Sequence, residues 1–227
     1  MSEMSEMSEM SEMSEMSEMS EMSEMSEMSE THIRIDEFIQ SYCPLIVVWI
    51  VLASILGLPH YSFVSSLIQI FTLLFLIYIS HIIIHTVIPD TPLIILNPHI
   101  FLHHNKEVIV EKWIERSVEA ISNFWYCFSL IVFQYIFSVS LFSTSIILYA
   151  SVLYVITHIF DYSIYGNEKH SLHHKYSFCN YEPEVLDTLF GTRCKDELPY
   201  TDMTIEIPHA ILAFVIVGTL KLTLDLD

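Results

Sequence analysis

Apolar side chains run along this chain in long unbroken stretches rather than at a helical or strand period. No Asp, Glu, Lys or Arg lies between Glu37 and Asp90, and none between Glu119 and Asp161. A helix needs about 20 mainly apolar residues to cross a hydrocarbon core of about 30 Å, so each gap has room for two crossings and a tight connection. The first gap predicts spans at about 44–58 and 63–80, with Pro59-His60 at the turn. The second predicts spans at about 124–139 and 146–160, joined through the Ser-rich SVSLFSTS stretch at 138–145. Buried core helices can carry such runs too, but two hairpins of this length rarely fit inside so small a globule. The predicted fold class is all-α: an integral membrane protein with about four transmembrane helices in a domain covering 31–227.

The ends carry weaker signals. Ten Met-Ser-Glu triplets fill positions 1–30. A period of three drifts around a 3.6-residue helix and builds no stable apolar face, so this segment reads as a disordered acidic arm. It lacks the basic start and apolar core of a signal peptide, which leaves targeting to the first span. IPHAILAFVIVGTL, at 207–220, is short for a crossing and reads as an interfacial or protein-packed helix.

Charge refines this picture. The chain has 227 residues, 9 Lys+Arg and 28 Asp+Glu, for a net charge of −19. Setting aside the ten repeat glutamates leaves 18 acidic against 9 basic side chains, a net −9. Nine basic residues without a basic run leave no footprint for nucleic acid. With four spans, the N-terminus, the 81–119 loop and the chain after His158 share one side. Arg34, Lys106, Lys112, Arg116, Lys169, Lys175, Arg193 and Lys195 all fall there, and only Lys221 does not. The positive-inside bias makes that side cytoplasmic. Cys43, Cys127, Cys179 and Cys194 form no CxxC pair, and two lie in or near spans; they read as reduced thiols.

Histidine supplies the candidate chemistry. Nine of the twelve stand at the predicted cytoplasmic ends of spans: His81 and His85; His99, His103 and His104; His158; and His170, His173 and His174. Residues three or four apart share a helix face, so each multiple group presents imidazoles in one direction. Neutral imidazole ligates Fe, Zn, Cu and Ni. Nine exceed what one tetrahedral site uses, and two metals are the economical reading. His32, His60 and His209 stand apart and read as interfacial or core residues.

HxxxH at the end of a span, a middle HxxxHH and a final HSLHHKYSFCNYEPEVLDTLFGT from His170 to Thr192 resemble the fatty acid hydroxylase/sterol desaturase superfamily. That family follows its last HxxHH with Asn-Tyr-Gly, Trp-Asp and Phe-Gly-Thr; here Asn180-Tyr181, Asp187 and Phe190-Gly191-Thr192 stand at similar spacing. The resemblance covers about 44–195. Three departures accompany it: the middle group has one residue too many, Glu182 replaces the Gly, and Leu186 replaces the Trp. The resemblance implies a cytoplasmic cap of histidine-bearing helices holding two iron ions. His81, His85, His103, His104, His170, His173 and His174 are its first-choice ligands, with His99 and His158 next. Asp90, Asp161, Asn180 and Asp187 are candidates to orient the imidazoles from behind. The implied activity is O2-dependent hydroxylation or desaturation of a fatty acyl or sterol-like lipid taken from the bilayer. Electrons would come from an external donor of the cytochrome b5 or reductase type, and the implied location is the endoplasmic reticulum. A metal transporter and a catalytically decayed relative are the competing readings.

Overall fold

The computed structural model describes residues 35–58, 60–86, 111–164, 168–176, 178–194 and 206–226, without the side chains at 35–37, 161–163 and 168. The Met-Ser-Glu repeat, Asp90, His99, His103 and His104 lie outside the described residues. All described elements belong to one compact unit, Ile35–Asp227. They are helical, with no strand among the described residues: α1 Ile35–Gly57, α2 Phe63–Thr86, α3 Lys112–Phe137, α4 Thr144–Thr157, α5 Glu168–Tyr176, α6 Glu184–Phe190 and α7 Ile207–Leu224. A π-helical turn, His158–Ile164, prolongs α4.

Four helices are long and apolar enough to cross a membrane: Phe38–Gly57 of α1, all of α2, all of α3 and all of α7. Their outward faces are apolar, as Val47, Val51 and Ile55 on α1 and Ile211 and Val215 on α7 illustrate. Water would penalise such a surface, whereas lipid matches it. The protein is therefore a multi-pass membrane protein.

One expectation needs correction. The C-terminal helix, read as short for a span, runs 18 residues and qualifies as a crossing while also packing on α4 and α1. The run at about 146–160 is an apolar helix, Thr144–Phe160, that lies at the bundle centre. Nine of the 14 residues of α4 are buried, Ile146, Ile147, Tyr149 and Ala150 fully so, because α1, α2, α3 and α7 surround it. A helix apolar on every side belongs in such a place. Ala210, Ala213 and Val217 form the buried stripe of α7, small enough to bring its backbone close to its neighbours.

The helices alternate in direction. Gly57 at the end of α1 lies against Ser66 of α2 and Ile146 of α4. Gln134 near the end of α3 accepts from the Leu141 and Phe142 amides, at 2.8 and 2.7 Å, and Gln69 of α2 accepts from the Ser143 amide at 2.7 Å. These contacts tie the connections together at one end of the bundle, where Lys221 of α7 also reaches Ser145. The opposite end of α2, the start of α3 and the end of α4 carry His81 and His85, Glu119, and His158 respectively.

Candidate metal centre

Helices α5 and α6 lie at that second end, and their position follows from bonds to the bundle. The Tyr42 hydroxyl on α1 donates to Glu184 at 2.6 Å and pairs with Thr188 at 2.9 Å. Lys169 on α5 forms an ion pair with Glu184. Tyr78 on α2 pairs with Thr192 through hydroxyls 2.8 Å apart, and its ring stacks on Phe190.

Within this frame two groups of three buried side chains each bring their ligand atoms within 4.8 Å of one another: His81, His85 and His173, and Glu119, His158 and His170. Helix α5 serves both. His170 and His173, three residues apart on its inward face, turn to different groups, and their ring centroids are 5.9 Å apart. In the first group His173 Nδ1–H donates to the Cys179 carbonyl at 2.7 Å, and His81 Nδ1–H donates to the Tyr181 carbonyl. A proton held on Nδ1 leaves Nε2 as a lone pair. His173 Nε2 lies 3.2 Å from His85 Nε2.

In the second group His158 Nε2 is 2.7 Å from Glu119 Oε1. Glu182 stands behind both imidazoles, its oxygens 3.4 Å from His158 Nδ1 and 3.5 Å from His170 Nδ1. The π turn begins at His158, and such a widened turn is a common device at functional sites. His174 joins the edge of this group, its Nε2 2.8 Å from that of His170. Nitrogen and carboxylate donors converging in this way, buried and oriented through their far ring atoms, fit divalent transition metals.

Six of the nine predicted ligands are described, and the fold gathers all six: His81, His85, His158, His170, His173 and His174. Asn180 and Asp187 act differently from expectation. Among the described contacts neither meets an imidazole; both hold the loop that does. The Asp187 carboxylate accepts from the Tyr181 amide at 2.9 Å, the Glu182 amide at 2.6 Å and the Thr192 hydroxyl at 2.5 Å. Burial pushes its carboxyl up to about 8 against the pull of these donors. Asn180 donates to the Lys169 carbonyl at 3.1 Å and accepts from the Cys194 amide at 3.0 Å. Asp161 lies in the π turn, but its side chain is not among those described.

Glu119 and Glu182 were not foreseen as site residues. Glu119 reads in the sequence as the border of a charge gap, and Glu182 as a departure from the family pattern. Glu182 has φ +63°, and Asn180 has φ +55°. Both are left-handed backbone conformations that glycine adopts freely and other residues seldom do. Leu186, in place of the family's Trp, is buried in the core cluster.

Cys179 and Cys194 form a disulfide, which corrects the expectation that all four cysteines are reduced thiols; Cys43 and Cys127 are free. The bridge closes a ring around Asn180, Tyr181, Glu182 and Asp187. A cavity lies beside the second group, lined by Trp49, Leu74, Leu153, Tyr154, Thr157, Glu182, Pro183 and Glu206. Comparison with protein-family models, curated proteins and solved structures finds no match.

Proposed function

We propose that this protein is a membrane-bound non-haem di-iron oxidoreductase that uses O2 to hydroxylate or desaturate a lipid C–H bond. One observation carries the reading: two buried groups of three ligand side chains share helix α5 at one end of a bundle with apolar outer faces. His81, His85 and His173 would hold one iron, and His158, His170 and Glu119 the other, with His174 beside the second. Bound iron supplies the one-electron and dioxygen chemistry that no side chain provides. In hydroxylation a C–H bond, O2, two electrons and two protons give C–OH and water. In desaturation two adjacent C–H bonds, O2, two electrons and two protons give C=C and two waters. The electrons come from a separate one-electron donor of the cytochrome b5 or reductase class.

The chain's own contribution is positional. The Cys179 and Tyr181 carbonyls fix His173 and His81 with Nε2 turned inward, and Glu182 does the same for His158 and His170. Burial of these groups excludes water from the reacting atoms. The cavity between α1, α2 and α4 is apolar at Trp49, Leu74 and Leu153 and polar at Glu182, but it has room for about one water, so an apolar chain from the bilayer would have to displace these side chains to reach the centre. The excess of basic residues on the histidine side supports a cytoplasmic orientation, and the endoplasmic reticulum is the proposed compartment.

The test is iron content together with products. The purified full chain should carry about two irons, one for each donor group. Cells expressing it should accumulate a hydroxylated or desaturated lipid that is missing with His173→Ala. Bound iron without product would favour the decayed relative. Full turnover in His173→Ala, or a chain that binds no metal, would overturn the proposal.

A further inference from the structure

The two donor groups differ in chemistry. His81, His85 and His173 offer three imidazoles, whereas Glu119, His158 and His170 offer two imidazoles and a carboxylate. Imidazole suits Zn, Cu, Ni and Fe, while carboxylate oxygen adds affinity for harder ions such as Mn2+. Two imidazoles and one carboxylate on one face of a cation also describe the donor set of iron sites that keep positions open for exchangeable ligands. The carboxylate is well placed for this role. Glu119 is buried on α3, one turn beyond Glu115, with Oε1 facing His158 Nε2 at 2.7 Å. Glu182 stands at the Nδ1 edges of both imidazoles, while His158 Nε2 faces the Glu119 carboxylate and His170 Nε2 faces His174, so a cation would enter among these donors.

We infer that the centre is asymmetric: the Glu119–His158–His170 position accepts hard divalent cations and keeps exchangeable coordination, while the His81–His85–His173 position takes only imidazole-preferring metals. This rests on the metal-binding reading above and assigns Glu119, which lies outside every histidine motif, as a ligand.

Metal binding without turnover tests it. The full chain, purified in detergent and stripped with chelator, is titrated separately with Mn2+, followed by electron paramagnetic resonance, and with Zn2+, followed by elemental analysis. The wild type should bind about one Mn2+ and about two Zn2+. Glu119→Gln should weaken Mn2+ at least 10-fold and retain one Zn2+, and His85→Ala should lose one Zn2+ and leave Mn2+ binding unchanged. A measurement on the wild type alone tests the asymmetry without relying on either variant to fold. On the Mn2+-loaded protein, the first equivalent of Zn2+ should leave the Mn2+ spectrum intact and the second should remove it.

Unchanged Mn2+ affinity in Glu119→Gln, equal loss of Mn2+ in His85→Ala, or release of Mn2+ by the first Zn2+ equivalent would overturn the asymmetry. In each case two bound Zn2+ would leave the di-metal reading standing. A wild type that binds neither ion would remove both.

Discussion

Asp187 illustrates how one buried carboxyl can govern a site it does not touch. It holds the amides of Tyr181 and Glu182, so the carbonyl serving His81 and the carboxylate serving His158 depend on it. Its folded-state value, about 8, lies above the ordinary 3.8. The folded protein therefore holds this proton more tightly than the unfolded chain does. The stability it contributes is full below about pH 4 and declines as pH rises through about 8. Detergent-solubilised wild type should melt lower at pH 9 than at pH 6. Asp187→Asn should flatten that part of the profile and lower the whole curve by about 1–3 kcal/mol, because an amide cannot accept all three bonds. A parallel profile in the variant would sink the assignment. At this scale the sequence displays the histidines, through their spacing, better than the carboxylates. Glu119 is a single acidic residue at a span border until α3 turns it toward His158. Glu182 gains its meaning only from a left-handed backbone that brings its side chain under two rings.

Among the elements, α4 is the one hydropathy describes least well. Its apolar run marks it as a membrane segment in the same way as α2, yet nothing in that run says that neighbours rather than lipid would cover it. Small residues carry what signal there is: Ser145, Ala150 and Ser151 are all buried, allowing close approach by other helices. In α7 the charge of Lys221 ends the apolar stretch in the sequence, while the helix continues to Leu224. The α1–α2 contact offers a direct test of close packing. A Cβ added to Gly57 would run into the buried Ser66 Oγ. Gly57→Ala should cost about 1–3 kcal/mol in thermal unfolding, and adding Ser66→Ala should recover most of it, a coupling that independent sites would lack. Additive losses in the double variant would disprove the contact.

For the molecule as a whole, the alternating helices put the histidine groups at one end and the last turn of α7, with Lys221 beside Ser145, at the other. The proposed orientation, which rests on the distribution of basic residues, puts the first end in the cytoplasm. The Cys179–Cys194 bridge at that same end is a feature of oxidising compartments, so the two signals point to opposite sides. A glycosylation acceptor placed after Leu224 decides between them: modification is the outcome expected from charge, and an unmodified chain in cells that glycosylate a lumenal control would reverse the orientation. The arrangement has a further bearing on selectivity. Since α4 is wrapped by its neighbours, the proposed lipid substrate would reach the centre only by parting the outer helices at Trp49 and Leu74, both buried in the core. The packing at that point, rather than the ligand shell, would then gauge the girth of an incoming tail, and loosening it by trimming the indole should broaden the range of chains admitted while leaving the bound ions undisturbed.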